Sequence, residues 1–445
     1  MSIEKLAKIA LHNNTIRSSY YDHYAVKRGL RNEDGSGVLV GLTKIGEVHG
    51  YIKDEQEIVP VDGRLTYRNI DIRDIVENIA KEKRFGFEET IYLLLFGNLP
   101  DMQELNKFRR LLGRYRELPT GFTEHIILRN PSRNMMNNLI RSIMACYYYD
   151  KTPDDTGIKN VIRQSIELIA RVPTIIAHGY RAKRHHHNKK SLVIHNPDPK
   201  LSTAENFLHM LRANSNYSRL EAETLDISLI LHAEHGGGNN STFVTHVVTS
   251  SDTDTYSTMG AAIGSLKGTK HGGANIKVME MMDYIKKELE DWENEDDLRE
   301  CLKRIMRKKA FDGKGLIYGM GHAVYTLSDP RAVILKQKAA ELAREKGREK
   351  EYNLYAAVER IGAGVFREVK KTDKVISANV DFYSGFVYDL LDMPREIYTT
   401  IFAMSRVVGW CAHRIEEIIS GGRIIRPAYK SVGIKKEYVP LGKRK

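Results

Sequence analysis

The chain has 445 residues, 42% of them apolar, and a formal net charge of +12. This length exceeds what one small hydrophobic core serves, so we expect two domains. Its three cysteines, Cys146, Cys301 and Cys411, form no CxxC pair, which argues against a disulfide framework and a thiolate metal site. No apolar run is long enough to span a bilayer, and the N-terminus lacks the pattern of a secretory signal. We therefore expect a cytoplasmic protein, with the mitochondrial matrix as the weaker alternative.

The positive charge favours an anionic partner, which could be nucleic acid, a membrane surface or a phosphorylated or carboxylated small molecule. The densest basic run is RAKRHHHNKK, residues 181–190, and the chain ends in GKRK. We interpret both as solvated surface, because short basic runs without interleaved aromatic residues are usually surface. Residues 185–187 are three adjacent histidines on this predicted loop, and consecutive side chains seldom converge on one ion. We expect no metal there.

The first elements in chain order are a short helix and a polar segment within residues 1–35. Residues 38–75 are rich in β-branched residues with Gly and Asp-Gly punctuation, which predicts a strand pair or hairpin. From Ile72 onward, apolar residues recur at spacings of three and four and predict helices in series. The clearest of these segments are 75–84, 87–97, 102–115, 136–149, 161–172, 204–213 and 219–235.

The second half of the chain continues this pattern. Further helices are predicted at Ala274–Asp291, Glu295–Lys309, Pro330–Lys346 and Glu351–Val369. Between the second and third of them, four glycines in the nine residues 313–321 break both helix and strand patterns. Many helices, few strands and no βαβ alternation predict an all-α fold.

The last predicted helix has the most regular apolar stripe. Its apolar residues step by four and three without a miss, at Ile397, Ile401, Met404, Val408, Cys411, Ile415 and Ile418. We therefore expect this stripe to face the core. Arg406 lies on the opposite side and is available to a ligand or to solvent.

Histidine and glycine concentrate between residues 231 and 275. His232, His235, His246 and His271 lie there, with three glycines after His235 and two after His271. Histidine titrates near neutrality and glycine lets backbone N–H groups approach a ligand, so this pairing is typical of sites that hold and polarise a substrate. A single His-Gly pair also fits a helix end capped by glycine. Two pairs in one segment favour a site.

Four short sequence motifs are informative when they are taken together. They are His235-Gly-Gly-Gly-Asn, His271-Gly-Gly-Ala-Asn, Gly321-His322 with Asp329-Pro-Arg331, and Asn379-Val-Asp381. With GRLTYRNIDI, FEETIYLLLFGNLP and AENFLHML, they make the chain resemble the citrate synthase family from about Val38 to Arg426. The resemblance implies a multihelical large domain, residues 1–272 and 386–445, and a smaller inserted helical domain, residues 273–385. It also implies an active site in the cleft between them.

The resemblance assigns catalysis to His271, His322 and Asp381. Joining acetyl-CoA to oxaloacetate requires a base for the thioester methyl, here Asp381, and stabilisation of the enolate as it forms. A neutral His271 would donate to the thioester oxygen, favoured by its place before a helix start, while His322 would polarise the ketone. Hydrolysis of citryl-CoA would follow in the same site, giving the entry reaction of the tricarboxylic acid cycle. No metal or redox cofactor is needed.

Substrate binding is implied in the same way. Oxaloacetate would be held by His235, Arg331 and Arg406, with Arg426 acting from the neighbouring subunit of a homodimer, since the planar guanidinium matches carboxylate oxygens in pairs. CoA would lie along the glycine-rich segment, against Lys314, Gly315, Leu316, Tyr318, Gly319, Gly321, Lys371 and Lys374. Family members usually carry a basic residue four positions after the loop histidine, whereas this chain has Thr326.

Three alternatives stay open at this point. A 2-methylcitrate synthase would use propionyl-CoA, which differs by one methylene, a difference worth only about 1–3 kcal/mol in a pocket. A metalloenzyme would use His232, His235 and His246 as ligands with Glu234 as base, although a true HExxH motif is absent. A basic nucleic-acid-binding helical protein would use residues 181–190 and the C-terminal tail. Taken singly, each nominated residue also fits an ordinary structural role such as a helix cap or a core histidine.

Overall fold

The computed structural model of the chain describes residues 2–32, 36–54 and 57–444. These residues divide into two compact units, Met1–Leu42 with Ile425–Lys445, and Thr43–Ile424. Within the described residues, no helix is both long and apolar enough to cross a membrane. The boundaries expected near residues 272 and 386 stay a prediction.

The terminal unit is built from short elements. It contains α1 (Ile3–Asn14), α2 (Ser18–His23) and single 3-10 turns at Arg28–Leu30 and Leu441–Lys443. Ser2 caps α1 by accepting a hydrogen bond from the Lys5 N–H at 3.3 Å. The Lys430 ammonium lies 5.8 Å from the centre of the Tyr24 ring, so the C-terminal tail contacts the segment after α2. The helix predicted within residues 1–35 is confirmed.

The larger unit begins with the predicted hairpin. Strand β1 (Gly46–Asp54) pairs antiparallel with β2 (Glu57–Tyr67), and the short β3 (Ile70–Asp71) extends the sheet on the other side of β2. The residues that join β1 to β2, 55 and 56, lie outside the described part of the chain. The strand pair expected within residues 38–75 is therefore confirmed on either side of this gap.

Fifteen helices follow in the described part of the larger unit, and they confirm the all-α prediction. They are α3 (Ile72–Lys81), α4 (Phe87–Phe96), α5 (Met102–Tyr115), α6 (Met135–Tyr149), α7 (Ile158–Asn188), α8 (Thr203–Leu211), α9 (Arg219–His232), α10 (Asn240–Thr249), α11 (Thr255–Lys267), α12 (Ala274–Glu288), α13 (Glu295–Met306), α14 (Pro330–Glu345), α15 (Glu349–Lys370), α16 (Val380–Leu390) and α17 (Tyr398–Ile419). The sequence did not predict α10 and α11 as separate helices. Their Ser, Thr and Gly content weakens the apolar period that marks the other helices.

Helix α17 lies at the centre of the larger unit. It packs against α4, α6, α7, α9, α10 and α11. The predicted stripe is buried, with Ile401, Met404, Val408 and Cys411 each at most 1% exposed. Arg406, on the other side, is also fully buried. Of the two possibilities predicted for Arg406, exposure to solvent is wrong, because other helices surround α17, and contact with a ligand stays a prediction.

The basic run 181–190 is not a solvated loop. Helix α7 extends over 31 residues to Asn188, through Pro173 and past Arg181, which is only 4% exposed. Within this last part, the Lys183 ammonium pairs with a Glu396 carboxylate oxygen at 2.6 Å. The loop prediction is wrong because Tyr180 and Ala182 continue the buried face of α7, so tertiary packing keeps the basic residues helical.

Candidate active site

One small cavity gathers the predicted catalytic and oxaloacetate-binding residues of the larger unit. Its volume is about 130 Å³, and it lies among the ends of α9 and α11, the starts of α10, α12, α14 and α16, and the middle of α17. The lining residues are His235, Asn239, His271, Gly272, Asn275, His322, Arg331, Asn379, Val380, Asp381, Phe402 and Arg406. Residues 235 and 406 are far apart in sequence, so the fold brings the motifs together.

His235 lies just beyond the end of α9. Gly236, with φ +79°, adopts the left-handed conformation that turns the chain away from the helix. The His235 ring stands edge-on to His322, with 5.2 Å between ring centres, and its Nε2 is buried without a hydrogen-bond partner. Burial first, and then the charge of Arg331, hold the pKa of His235 well below its ordinary value. The ring is therefore neutral at neutral pH and can bond a ligand through Nε2.

His271 lies between α11 and α12. Its Nε2 is 3.1 Å from the Ser241 hydroxyl oxygen. Burial first, and then the charge of Arg406, lower the pKa of His271 to about 4. The neutral ring that the sequence analysis expected is supported by these two causes, in addition to its position before the start of α12.

His322 is fixed by backbone donors in the glycine-rich segment. Its Nδ1 accepts hydrogen bonds from the Val324 and Tyr325 N–H groups, at 3.1 and 3.2 Å. Because Nδ1 is an acceptor, a neutral ring carries its proton on Nε2. The ring also stacks on Tyr325, with 4.8 Å between centres.

The glycine-rich segment is tied to the residues that precede α16. The Gly321 N–H donates to the Ser377 carbonyl at 2.7 Å, and the Asn379 side-chain amide donates to the Gly321 carbonyl at 2.8 Å. Gly319 has φ +80°, and a Cβ there would come within 2.9 Å of the Phe382 Cα. Glycine is therefore required at position 319 for the close approach, and the segment that carries His322 is held against the one that carries Asp381.

Asp381 occupies the first turn of α16. Asn379 caps this helix by accepting a hydrogen bond from the Asp381 N–H at 3.0 Å. Burial raises the pKa of the Asp381 carboxyl to about 6, and the nearby charges of Arg331 and Arg406 limit the rise. A carboxylate with this pKa is ionised at neutral pH yet is a stronger base than an ordinary aspartate.

Arg331 starts α14 and is paired within its own turn. Its Nε and Nη2 donate to the two carboxylate oxygens of Asp329 at 3.0 and 2.8 Å. Asp329 also accepts a hydrogen bond from the Val380 N–H at 3.1 Å. One carboxylate thus orients Arg331 and joins the starts of α14 and α16.

Arg406 has no anionic partner among the described residues. Its Nε donates to the His232 carbonyl at 2.6 Å, whereas Nη1 and Nη2 are buried without hydrogen bonds. Burial lowers the pKa of Arg406 to about 10, so the guanidinium stays charged at neutral pH. A buried and unpaired charge is costly, so this side of the cavity is built to receive an anion.

The residues predicted to hold CoA border the glycine-rich segment. Leu316 is 52% exposed, Lys314, Lys371 and Lys374 are exposed, and Gly315, Gly319 and Gly321 all have positive φ. The Tyr318 hydroxyl donates to Asp312 at 2.6 Å. Contact of any of these residues with CoA stays a prediction. Arg426 belongs to the terminal unit and is exposed, and its action in a neighbouring subunit is also a prediction.

The residues that the alternative metalloenzyme would use do not form a metal site in the described part of the chain. His232 is fully buried in the last turn of α9, and its ring lies 4.6 Å from that of Phe402. The Glu234 carboxylate accepts a hydrogen bond from the Gly236 N–H at 2.5 Å, and His246 lies on α10 beside Glu417. Within the described ranges, no three His, Cys, Asp or Glu side chains are grouped so that they could hold a metal ion.

Several residues in or behind this cavity had no predicted role. Asn239 and Asn275 end the two His-Gly motifs and Asn379 begins the Asn-Val-Asp motif, so the motifs contained them without revealing what they do. Ser241 and Trp410 carried no signal at all. Ser241 contacts His271 and Trp410 contacts Ser241, and the second contact depends on the packing of α10 against α17, which sequence spacing does not report.

Comparison with known proteins identifies one protein family that this chain is similar to. A family model described as citrate synthase, C-terminal domain, matches residues 35–428. A citrate synthase of Haloferax volcanii is 34% identical, over 94% of this chain and 99% of its own length. A 2-methylcitrate synthase of Shewanella oneidensis is 32% identical, over 85% of this chain and 92% of its own length.

Solved structures agree with the sequence matches. The crystal structure of citrate synthase from Pyrobaculum aerophilum has a TM-score of 0.74 and 31% identity, over 92% of this chain and 94% of that one. Citrate synthase from Thermoplasma acidophilum, solved as a ternary complex with carboxymethyl coenzyme A and oxaloacetate, has a TM-score of 0.76 and 28% identity, over 94% of this chain and 99% of that one. As the motifs predicted, this chain belongs to the citrate synthase family.

Proposed function

We propose that this chain is a citrate synthase, which condenses acetyl-CoA with oxaloacetate and hydrolyses citryl-CoA to citrate and CoA at the entry to the tricarboxylic acid cycle. The observation that carries the proposal is the unpaired Arg406 guanidinium in the cavity that also holds Asp381. This combination suits a dicarboxylate that must be held beside a carboxylate base. His235 adds a second unpaired group, its buried Nε2.

The first step forms the enolate of acetyl-CoA. Asp381 takes a proton from the thioester methyl, and His271 stabilises the charge that develops on the thioester oxygen. The Ser241 oxygen accepts from the Trp410 indole N–H, and its one proton has two acceptors within reach, the Asn239 side-chain oxygen at 2.9 Å and His271 Nε2 at 3.1 Å. The proposed mechanism uses the state in which this proton bonds His271 Nε2. This arrangement leaves the proton of the neutral imidazole on Nδ1, as a donor to the thioester oxygen.

The second step forms the carbon–carbon bond. The His322 Nε2–H polarises the ketone of oxaloacetate, and the enolate carbon attacks the ketone carbon. The ketone oxygen takes up a proton, which balances the one that Asp381 removed from the thioester methyl, and becomes the hydroxyl of citryl-CoA. Water then attacks the thioester, and CoA leaves as its thiol. These steps need only proton transfer and charge stabilisation, so we propose no metal or redox cofactor.

Oxaloacetate would be bound by His235, Arg331 and Arg406 of one chain and by Arg426 of a second chain, which makes the proposed enzyme a homodimer. The CoA phosphates would be met by exposed basic residues beside the glycine-rich segment, among them Lys314, Lys371 and Lys374. A cytoplasmic location is also a prediction, and the cysteine usage supports it.

A 2-methylcitrate synthase is the second candidate. It is supported by relatives of that name, in Shewanella oneidensis at 32% identity and in Corynebacterium glutamicum at 31%. The two reactions share every proposed step and differ in one methylene of the acyl group. Such a difference is worth about 1–3 kcal/mol, or roughly 10- to 200-fold in kcat/KM.

The experiment is a comparison of CoA thiol release with oxaloacetate and either acetyl-CoA or propionyl-CoA. We expect kcat/KM for acetyl-CoA to exceed that for propionyl-CoA by at least about tenfold. The reverse ratio would establish the second candidate. Absence of oxaloacetate-dependent thiol release with both acyl-CoAs, from folded protein, would overturn the proposal.

A further inference from the structure

Four side chains form a continuous chain of contacts behind His235, and none of them lines the cavity. A Glu234 carboxylate oxygen lies 3.0 Å from His413 Nε2. His413 Nδ1 lies 3.1 Å from His246 Nε2, and His246 Nδ1 lies 2.8 Å from a Glu417 carboxylate oxygen. The side chains of His413 and Glu234 have no exposed surface, and those of His246 and Glu417 are 15% and 20% exposed.

The number of ring protons in this chain follows from its ends. The two ends are carboxylates, which accept hydrogen bonds when they are ionised, so His413 Nε2 and His246 Nδ1 must both carry protons. The nitrogen–nitrogen contact between the rings needs one more proton to be a hydrogen bond. Two neutral imidazoles supply only two protons. Three complete hydrogen bonds therefore require that the histidine pair, His246 and His413, carry one positive charge.

The charges around the histidine pair favour this state. Glu416, the third carboxylate, lies 4.0 Å from His413 Nδ1 and is fixed by the Thr43 hydroxyl at 2.6 Å and the Lys44 N–H at 2.7 Å. Arg406 interacts electrostatically with Glu234, and Arg68 interacts with both Glu234 and Glu416. Three carboxylates thus surround the pair.

Glu234 and His246 differ in how they respond to this environment. Burial raises the pKa of Glu234, but the charge and hydrogen bond of His413, with Arg406 and the Gly236 N–H, bring it below its ordinary value. Burial and the charge of His413 lower the pKa of His246. His413 is the ring of the pair that lies between two carboxylates, Glu234 at 3.0 Å from Nε2 and Glu416 at 4.0 Å from Nδ1.

The histidine pair is connected to the cavity through the turn that follows His235. The same Glu234 oxygen that faces His413 accepts the Gly236 N–H at 2.5 Å. The next residue packs directly on the pair, since a Cβ at Gly237 would lie 3.7 Å from both His246 Nε2 and His413 Cε1. The chain therefore contacts the histidine pair on both sides of His235, through the Glu234 side chain before it and through Gly237 after it.

We propose that His246 and His413 share three ring protons as one cation and act as positioning residues, which fix His235 for oxaloacetate through Glu234 and the Gly236 N–H. The inference rests on the proposed function for the identity of the ligand. Loss of the shared proton at high pH leaves one link of the chain without a hydrogen bond and weakens the support of the turn. The KM for oxaloacetate then rises with pH, while kcat and the KM for acetyl-CoA do not follow it.

The first test counts protons without using activity. In full-length protein labelled with 15N-histidine, the nitrogen chemical shifts distinguish imidazolium from either neutral tautomer, and comparison with H246Q and H413Q assigns the two rings. We expect, at neutral pH, one imidazolium and one neutral ring that is protonated on Nδ1. Two neutral rings would overturn the proposal, whatever reaction the enzyme catalyses.

The second test is kinetic. In H413Q the buried Glu234 carboxylate loses the charge and the hydrogen bond of His413 and keeps those of Arg406 and the Gly236 N–H. We expect the KM for oxaloacetate to rise about tenfold, with kcat and the KM for acetyl-CoA within about twofold. The double variant E234Q/H413Q replaces the charged pair with two amides. It should recover most of the oxaloacetate affinity and lose its dependence on pH.

The control is H178Q, which removes another buried histidine, hydrogen-bonded to Thr123 and to the His195 carbonyl and outside the site. It should leave both KM values unchanged. If H413Q does not fold, H246Q at the half-buried end of the pair replaces it. The histidine pair would have a merely structural role if the KM values for oxaloacetate and acetyl-CoA rose equally in H413Q or its replacement. The same conclusion would follow if E234Q/H413Q failed to recover the oxaloacetate affinity. Wild-type protein that neither binds nor uses oxaloacetate would instead contradict the proposed function, and the proton count would still stand.

Discussion

Trp410 Nε1 donates a hydrogen bond of 3.2 Å to the Ser241 hydroxyl oxygen, although the two residues are 169 positions apart in the chain. The same oxygen lies 2.9 Å from the Asn239 side-chain oxygen and 3.1 Å from His271 Nε2. An indole N–H has no acceptor capacity, so it fixes which lone pair of the serine is used. The one proton of the serine hydroxyl then goes either to the Asn239 oxygen or to His271 Nε2, and in the second case the neutral ring of His271 carries its own proton on Nδ1.

Substitution S241A tests this relationship. Without the hydroxyl, His271 Nε2 loses its partner, and the ring can place its proton on the nitrogen that faces away from the thioester. We expect kcat to fall about 10- to 100-fold, which is part of the range that acid–base catalysis contributes. The matched control is S265A, whose exposed hydroxyl contacts Asn240 outside the cavity. Thiol release measured with saturating substrates checks both variants, and an unchanged kcat in S241A would exclude this role for the serine.

Substitution D381N tests the base. The amide keeps the shape of the side chain but cannot accept the methyl proton, so we expect turnover to fall by about 10²- to 10⁴-fold, with the fold and oxaloacetate binding retained. Thiol release gives the rate, and calorimetric titration gives the affinity for oxaloacetate. D392N, an exposed aspartate on the loop after α16, should keep wild-type turnover. Near-normal turnover in D381N would remove Asp381 from the role of base.

The pH dependence of the wild type follows from the same carboxyl. Burial raises the pKa of Asp381 to about 6, and only the ionised form accepts a proton. We expect kcat/KM for acetyl-CoA, with oxaloacetate saturating, to be constant above this pH and to fall about tenfold for each pH unit below it. The residual activity of D381N should lack this limb. A limb that persists in D381N would assign the titration to another group.

The stability of the wild type relative to D381N should depend on pH in a defined direction. With a pKa raised by burial from 3.8 to about 6, the folded state binds more protons than the unfolded state between these pH values. Stability therefore falls as pH rises through this window, and above it the ionised carboxylate costs up to about 3 kcal/mol. We expect a higher Tm for D381N than for wild type near pH 7.5, with a difference that closes towards about pH 4. Thermal unfolding followed by circular dichroism at both pH values checks this.

How far the sequence could predict the molecule depends on which residues are considered. The apolar stripe of α17 and the His-Gly motifs are local patterns, and they predicted a buried helix and one shared cavity. The burial of Arg406 is not local, because it depends on the helices packed on the opposite side of α17. Ser241 and the histidine pair lie on α10 and α17, whose contact no spacing rule reports, and the Ser, Thr and Gly content of α10 and α11 hid both helices.

Arg406 should make the stability of the protein depend on oxaloacetate. Its guanidinium is buried without an anion, so a bound carboxylate satisfies it in the folded state only. We expect oxaloacetate at about 100 times its Kd to stabilise wild type by about 2.7 kcal/mol and R406Q by much less. R360Q changes the charge equally at a side chain that is 61% exposed, and it should respond as the wild type does. An undiminished rise of Tm with oxaloacetate in R406Q would show that the ligand is held elsewhere.

The predicted action of Arg426 in a second subunit can be tested by complementation. R426Q lacks the carboxylate ligand and D381N lacks the base, so each homodimer should be nearly inactive. If Arg426 completes the neighbouring site, a mixed dimer has one intact site, formed by Asp381 of the R426Q chain and Arg426 of the D381N chain. Random pairing of equal amounts then gives half mixed dimers and about one quarter of the wild-type activity. Co-expression with two affinity tags isolates the mixed species, in which the fraction should rise to about one half. If the mixed dimers are no more active than the homodimers, Arg426 either acts in the site of its own chain or takes no part in the reaction. This follows because, apart from the two substituted residues, both chains still carry every group that the mechanism uses.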